Sequence, residues 1–392
     1  MRLAASTPPV HHNCANRAFA VNSAFMTNRF ISRTSRKIAP FGIIFAILGV
    51  LLFVFFVRKA GVYEIWVGVK RLGAGFLLIL GFSGLRQAVR SLAWTRCFEL
   101  PYRLGFREAF VARVMGDGLG NIVPLASVAV SEPSKVLFVR HRVPPLAAVA
   151  ALALENIFYS LSVVLFIFSG TAALLLNFSL PKQLRYASFA ALIATTVVVV
   201  VGFFVIKRQW RFLSGASSWL HRLGVGKGKM EHVHPRAHAL EDRVYGFYRN
   251  NRGNLLKIFA LELCFHTAGV AEVYTTLSFI SDAKEPTLLI AFILESVNRV
   301  INVVFKFIPL RTGVDEAGTG MLSKVLGFTT AIGVTLAIVR KARDIFWTTI
   351  AVVLLVRRGF SLAAVTRKAE QMAAEVAAVT ENPPVSSPQA GG

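Results

Sequence analysis

Cysteine is scarce. The 392 residues hold only Cys14, Cys97 and Cys264, odd in number and far apart. That excludes a disulfide framework, and no Cys/His spacing suits zinc. Acidic residues are scarce too: 20 Asp and Glu stand against 44 Lys and Arg, a net charge of +24. No polar stretch is long enough for a soluble domain. The basic excess therefore reads as loops beside anionic lipid, and no nucleic acid is expected as a partner. The GDGLGN stretch at 116–121 lacks a preceding strand and a βαβ setting, which excludes a dinucleotide-binding turn. No Ser/His/Asp or Cys/His arrangement follows from spacing, so no catalytic residue is proposed. His232, His234 and His238 lie in a basic loop without an acidic fourth ligand. They read as solvated surface, and neither a metal nor a cofactor is expected. Residues 1–37 have no apolar core of the kind a secretory signal needs, and read as a disordered cytoplasmic extension.

Apolar residues are abundant: 55% of the chain is hydrophobic, with a mean hydropathy of +0.58. They come in blocks long enough to cross a hydrocarbon core, which takes ~20 residues per helix. The blocks are Ala39–Val57, Phe76–Trp94, Leu146–Gly170, Ala187–Ile206, Leu255–Ile280, Leu288–Phe307 and, less cleanly, Thr329–Val356. The runs are continuous rather than alternating, which excludes a β-barrel. The expected fold is all-α and polytopic, with about seven to nine helices. The transmembrane domain is placed at 38–358. A cytoplasmic tail at 359–392 starts with helix-forming TRKAEQMAAEVA and ends in disordered, Pro/Ser/Gly-rich ENPPVSSPQAGG.

Basic loops set the orientation. Between Lys207 and Lys257 there are eleven Lys and Arg against three acids. That loop is cytoplasmic by the positive-inside rule, and so are both termini, flanked by Arg29, Arg33, Arg36, Lys37 and by Arg357, Arg358. Asn177–Arg185 and Ser281–Glu285 are then external. Arg58, Lys59, Lys70 and Arg71 fit that scheme only if 61–71 lies along the interface with its cations snorkelling.

The chain repeats itself. IVPL at 122–125 recurs as FIPL at 307–310, SKVL at 134–137 recurs at 323–326, and IFYSLSVVLF at 157–166 recurs as IFWTTIAVVLL at 345–355. An acid follows each proline: Glu132 after Pro124 and Glu316 after Pro309. The same order at a near-constant offset argues for duplication. Each repeat opens on a Gly- and Pro-bearing stretch read as a broken or re-entrant helix. Irregular backbone at membrane depth needs protein or a water-filled cavity to satisfy it. Paired interrupted segments point to a transporter's binding site.

Polar side chains cluster where a bilayer helix should have few. On a helix turning roughly 100° per residue, Glu295, Asn298, Arg299, Asn302 and Lys306 share about a third of the circumference. Each intramembrane charge costs at least ~2.5–3.5 kcal/mol on insertion scales, so this stripe needs partners or a hydrated cavity. Glu295 and Arg299 form an i,i+4 pair. Arg86 with Arg90, Glu155 with Tyr159 and Ser162, Glu262 with His266, and Arg340 to Asp344 add further polar groups at membrane depth. Such a mixture of signs suits a charged or zwitterionic lipid headgroup.

NIVPLASVAVSEPSKVLFVRHRV at 121–143, followed by ENIFY at 155–159, resembles the first block of the lysylphosphatidylglycerol synthase transmembrane region. IPLRTGVDEAGTGMLSKVLGFTTAIGVTLAIVRKARD at 308–344 resembles its second block. The resemblance to this flippase-like family spans about residues 40–356. It implies a bacterial inner-membrane domain that moves lipids between leaflets, and its recurring polar positions match Glu132, Glu155, Glu316 and Arg343. Lys135 stands where the family carries a basic residue after the first acid. The soluble aminoacyl-transfer domain of some relatives is not expected in the residues after Val356.

The expected substrate-binding set is Glu132, Lys135, Glu155, Glu295, Asn298, Arg299, Asn302, Lys306, Glu316 and Arg343, with Glu295, Glu316 and Glu155 as candidates for proton coupling. The function read from these residues is lipid translocation rather than catalysis. Two rival readings use the same residues. One is a membrane-embedded transferase on a lipid-linked substrate, with Glu316 or His266 as acid or base. The other is a non-transporting scaffold for a lipid-modifying enzyme. Such an enzyme and a second copy of the chain are the protein partners left open. The orientation predicts that, in a cysteine-free background on intact cells, Lys182→Cys reacts with a membrane-impermeant thiol reagent and Ser217→Cys does not. External labelling at position 217 would overturn it.

Overall fold

The computed structural model describes residues 54–55, 58, 62–122, 127–208, 246, 252–281, 285–305, 308 and 311–358. The N-terminal extension, the tail, most of the first apolar block, the histidine-bearing loop, Lys306 and both loop prolines lie outside the described residues.

Among the described residues there are ten helices and no strand: α1 (Val62–Leu72), α2 (Gly75–Arg96), α3 (Phe106–Ile122), α4 (Ser127–Val139), α5 (Pro145–Asn177), α6 (Lys182–Arg208), α7 (Arg252–Ile280), α8 (Leu288–Val304), α9 (Val314–Val325) and α10 (Thr330–Arg357). Three stretches are long and apolar enough to cross a membrane: Gly75–Arg96, Pro145–Asn177 and Lys182–Gly202. Helices α7 and α10 have the length but also carry the charges discussed below. The helix starts follow local rules. Proline opens α5, where a missing N–H costs nothing. Thr287 and Thr329 cap α8 and α10, each hydroxyl accepting the amide N–H three residues on at 3.3 Å.

The ten helices exceed the expected seven to nine because both Gly/Pro stretches are split and α1 stands alone. Helices α4 and α9 have 13 and 12 residues. At ~1.5 Å per residue they reach less than ~20 Å and do not cross a ~30 Å core. The glycine-rich segment is not itself the break. Helix α3 runs through Gly116, Gly118 and Gly120 to Ile122. A Cβ on Gly118 would overlap Ala351 of α10, and one on Gly116 would overlap Lys135 of α4. These glycines let helices approach closely. In the second stretch α8 stops at Val304, two residues short of Lys306. Arg311 and Gly313 then take φ values of 51° and 84° before α9 begins. Glycine meets no Cβ clash there. Helix α1 covers most of the segment expected at the interface. It sits against Ala331 and Val334 of α10, exposes Tyr63 and Trp66, and stacks the Lys70 ammonium 5.3 Å from the Trp66 ring.

Two apolar cores occupy opposite ends of the bundle. One gathers the C-terminal end of α2 (Ala93, Trp94), α3 and α4, the N-terminal ends of α5 and α7 (Ala148, Ile258), and Leu355 near the end of α10. The other gathers the opposite ends of those long helices (Ile79, Leu174, Leu277, Leu336) with α8 and α9. Each short-helix pair thus belongs to one end, α3–α4 to the first and α8–α9 to the second. Between the cores the long helices carry their polar residues.

Close packing makes a prediction. Gly118→Leu should lower the melting temperature in detergent, at a cost of about 1–3 kcal/mol from overpacking. Gly81→Leu, where nothing lies within 4 Å, should not. Equal melting of the two variants would contradict the α3–α10 contact.

Candidate functional site

The layer between the two cores encloses a cavity of about 580 Å³, within the ~300–1,000 Å³ range of ligand sites. The C-terminal end of α3 and the N-terminal end of α4 reach it from one side, with Asn121, Ser131 and Glu132. The C-terminal end of α8 reaches it with Asn298 and Asn302, and Arg311 lines it just before α9. Helices α2, α5, α7 and α10 complete the wall.

Cations dominate the lining. Arg86, Arg90, Arg299, Arg340 and Arg343 face it, joined by Arg311 and Lys135, against the acids Asp117, Glu132 and Asp344. The arginines do not stand free, because buried carboxylates hold them from behind. Glu295, 1% exposed, accepts from Arg299 and from Arg340 at 3.3 Å, with Arg86 at 3.6 Å. Glu272 binds Arg86 at 3.0 Å and also Arg343. Asp344 takes Arg343 at 2.8 Å and Arg311 at 3.3 Å. Glu155, fully buried, holds Arg90 at 2.8 Å and Arg113 at 3.1 Å. Aromatic faces support the same guanidiniums. Arg90 lies 3.7 Å from the Tyr159 centroid, and Arg86 and Arg299 lie 4.6 and 5.0 Å from that of Phe265. The arginines are thereby held in place along the cavity wall, and guanidiniums so fixed suit phosphate oxygens.

The α3–α4 edge has the other polarity. Lys135 bridges Asp117 at 2.7 Å and Glu132 at 2.9 Å. Its ammonium is buried while both acid side chains remain about 30% exposed. Asn156 of α5 joins the two edges, donating to Glu132 at 3.2 Å and accepting from Arg90 at 3.3 Å. A phosphate at the arginine wall and an ammonium at the Asp117/Glu132 edge would both find partners.

Among the described residues, Asn121, Ser160 and Val303 line the cavity and are exposed.

A family model, the lysylphosphatidylglycerol synthase TM region, matches residues 41–366. The chain belongs to that family. Both motif blocks, 121–143 and 308–344, fall inside the match. No curated protein and no solved structure matches the chain.

In this lysylphosphatidylglycerol synthase TM-region protein, the expected residues occupy three kinds of place. Glu132, Lys135, Asn298, Arg299, Asn302 and Arg343 line the cavity. Glu155 and Glu295 lie behind its wall as counter-ions. Glu316 is fully buried away from the lining, where it pairs with Lys341 and accepts the Gly313 N–H at 2.7 Å, capping α9. Lys306 lies outside the described residues. Arg343 is taken by Glu272 and Asp344. His266 is a packed residue: Ser162 Oγ lies 3.1 Å from its Nε2, and it stacks on Phe166.

The expected set omitted Asp117, Glu272, Asn156, Arg113 and Arg311. Glu272 carried a usable signal, being a charge inside an apolar run. Asp117 was hidden in a stretch whose glycines drew the attention.

The Glu295–Arg299 pair is part of a larger hub, which decides a prediction. Glu295→Leu removes the carboxylate of both Arg299 and Arg340, whereas Arg86 keeps Glu272. It should cost about 3–5 kcal/mol, the penalty for stranding buried charge, and more than Arg299→Leu, which leaves Glu295 with two guanidiniums. Thermal unfolding in detergent reads the order, and an Arg299→Leu protein that melts lower than the Glu295→Leu one would refute the hub.

Proposed function

We propose that the chain is a lipid translocase of a bacterial inner membrane. A charged phospholipid headgroup enters the central cavity and passes between leaflets while its acyl chains stay in the bilayer. One observation carries this reading: a cationic cavity lies at mid-bundle with exposed Asn121, Ser160 and Val303 in its lining, where a lateral opening would admit a lipid. A water-soluble solute needs a path to water, whereas a lipid needs an opening through which its chains remain in hydrocarbon. The phosphate binds the arginine wall, and an amino group, where the lipid has one, takes the Asp117/Glu132 edge.

The two short-helix pairs act as gates. With the cytoplasmic face at the end that carries exposed Arg140, His141 and Arg142, α3–α4 enters from the cytoplasm and α8–α9 from outside. The internal repeat supports treating them as counterparts. Glu132 of α4 contacts Asn156, and Glu316 of α9 contacts Lys341, so each acid reaches the next long helix at a separation of 24 or 25 residues. The contacts differ in state: Glu132 faces the cavity and Glu316 is sealed from it.

The test is headgroup exposure in reconstituted vesicles, using fluorescent phosphatidylglycerol and phosphatidylethanolamine analogues and an impermeant quencher. The wild type should move at least one analogue, and protein-free rates with both would discard the translocase. Glu132→Gln should slow the ethanolamine analogue about tenfold relative to the glycerol one, the effect of ~1.4 kcal/mol of lost ammonium binding, at unchanged melting temperature. Glu316→Gln should instead lower the melting temperature, since it leaves Lys341 facing a neutral amide. Equal slowing of both lipids by Glu132→Gln would remove that residue from ammonium recognition.

A further inference from the structure

Ion pairs around the cavity form two clusters of different net charge. One joins α3, α4 and α5 with Arg90 of α2. In it Glu155 holds Arg90 and Arg113, and Lys135 holds Asp117 and Glu132. Asn156 links the two groups. Three cations meet three carboxylates there, and the cluster is neutral. The other joins α2, α7, α8 and α10 with Arg311. Glu295 binds Arg86, Arg299 and Arg340. Glu272 binds Arg86 and Arg343, and Asp344 binds Arg343 and Arg311. Five guanidiniums meet three carboxylates, which leaves two positive charges in excess. All five arginines line the cavity. The acids of α9 make no ion pair with them: Glu316 pairs with Lys341, and Asp315 accepts from Thr319. Glu262 has no hydrogen-bond partner and joins neither cluster. Donors are in excess as well. Among the described residues, Arg299 Nε, Arg311 Nε and Arg340 Nη1 are buried without a hydrogen-bond partner. An unpaired buried donor and an unbalanced buried charge are both costly. A ligand that removes both deficits brings two negative charges and several acceptor oxygens.

We propose that the headgroup this cavity prefers is a phosphate monoester at the end of a lipid. Near neutral pH a monoester carries close to two negative charges, spread over three terminal oxygens. Its charge matches the excess of the arginine cluster, and its oxygens suit guanidinium donors. A diester such as the phosphatidylglycerol headgroup brings one charge on two terminal oxygens. It can occupy the same wall but leaves one positive charge unbalanced. An amino group at the Asp117/Glu132 edge does not supply the second negative charge. Free phosphate shares the terminal chemistry, and the experiment separates the two sources. The proposal deepens the translocase reading and rests on it for the lipid, whereas the demand for a dianion rests on the ion pairs alone.

Binding calorimetry in non-ionic detergent tests it, at about pH 8, where the monoester is a dianion. The probes are short-chain phosphatidic acid, short-chain phosphatidylglycerol and inorganic phosphate. Phosphatidic acid should bind about tenfold tighter than phosphatidylglycerol, the scale of one added charge-assisted hydrogen bond. Inorganic phosphate, without acyl chains, should bind far more weakly than phosphatidic acid. Arg311→Gln lowers the excess to one charge, while Asp344 keeps Arg343 at 2.8 Å. It should weaken phosphatidic acid about tenfold and phosphatidylglycerol only about threefold, because Coulomb energy scales with the charge on the ligand. Arg311→Lys keeps the charge and should retain the wild-type preference. Arg340→Gln, which leaves Glu295 with Arg86 and Arg299, serves as a second variant, and melting in detergent is the folding control for each. Equal wild-type affinities for the two lipids overturn the proposal. So do equal losses for both lipids in a variant that melts normally. Inorganic phosphate binding as tightly as phosphatidic acid would overturn the lipid as the source of the dianion. A charge-dependent preference for phosphatidic acid, in a protein that moves no lipid analogue in vesicles, would support the dianion site and overturn only translocation. Movement of the phosphatidylglycerol or phosphatidylethanolamine analogue without that preference would overturn the dianion site alone.

Discussion

The fold depends on how charge is neutralised at its middle. Several buried carboxylates and a larger set of arginines sit at the depth where a bilayer offers no water. Each buried ion costs several kcal/mol unless its partner is well placed. The placement is mutual. Glu295 of α8 needs guanidiniums from α2 and α10 as well as its own helix, and Glu272 of α7 needs α2 and α10. No single helix brings enough partners to be stable alone in lipid. Helices α2, α7, α8 and α10 are thus bound as one assembly, and the cavity is the space their side chains leave on the side facing α3, α4 and α5.

The apolar cores and the ionic layer divide the work. Packing at the two ends sets helix positions without any demand on polar geometry, using small contacts such as Gly118 against Ala351 and Gly170 against Ser296. The ionic layer sets rotation, since turning α8 by one residue would carry Glu295 away from Arg340. Short helices complete the design. Because α4 and α9 do not span the bilayer, their inner ends bring backbone and polar side chains to the centre, an arrangement that only a cavity or surrounding protein permits. The cationic lining follows from the same economy: carboxylates behind the wall, Glu295 and Glu155 among them, neutralise its arginines in part.

The two loop acids are held in different ways. Glu132 shares its lysine with Asp117 and stays open to the cavity. Glu316 is locked under Lys341 and its own helix amide.

Composition and periodicity determined much of this protein. Continuous apolar runs made it all-α and polytopic, because only helices satisfy their own backbone in lipid. The order of recurring motifs identified the family, and the polar stripe from Glu295 to Asn302 marked a wall of the cavity. Local signals also located the broken segments, while in α3 the glycines serve packing, a purpose invisible until Ala351 and Lys135 are seen against them. The tertiary structure alone decided which charges meet. Arg86 and Glu272 are 186 residues apart, and Arg340 and Glu295 are 45 apart. Sequence shows that buried charges need partners but not which ones, because partner choice depends on helix rotation and crossing, set by packing over the whole bundle.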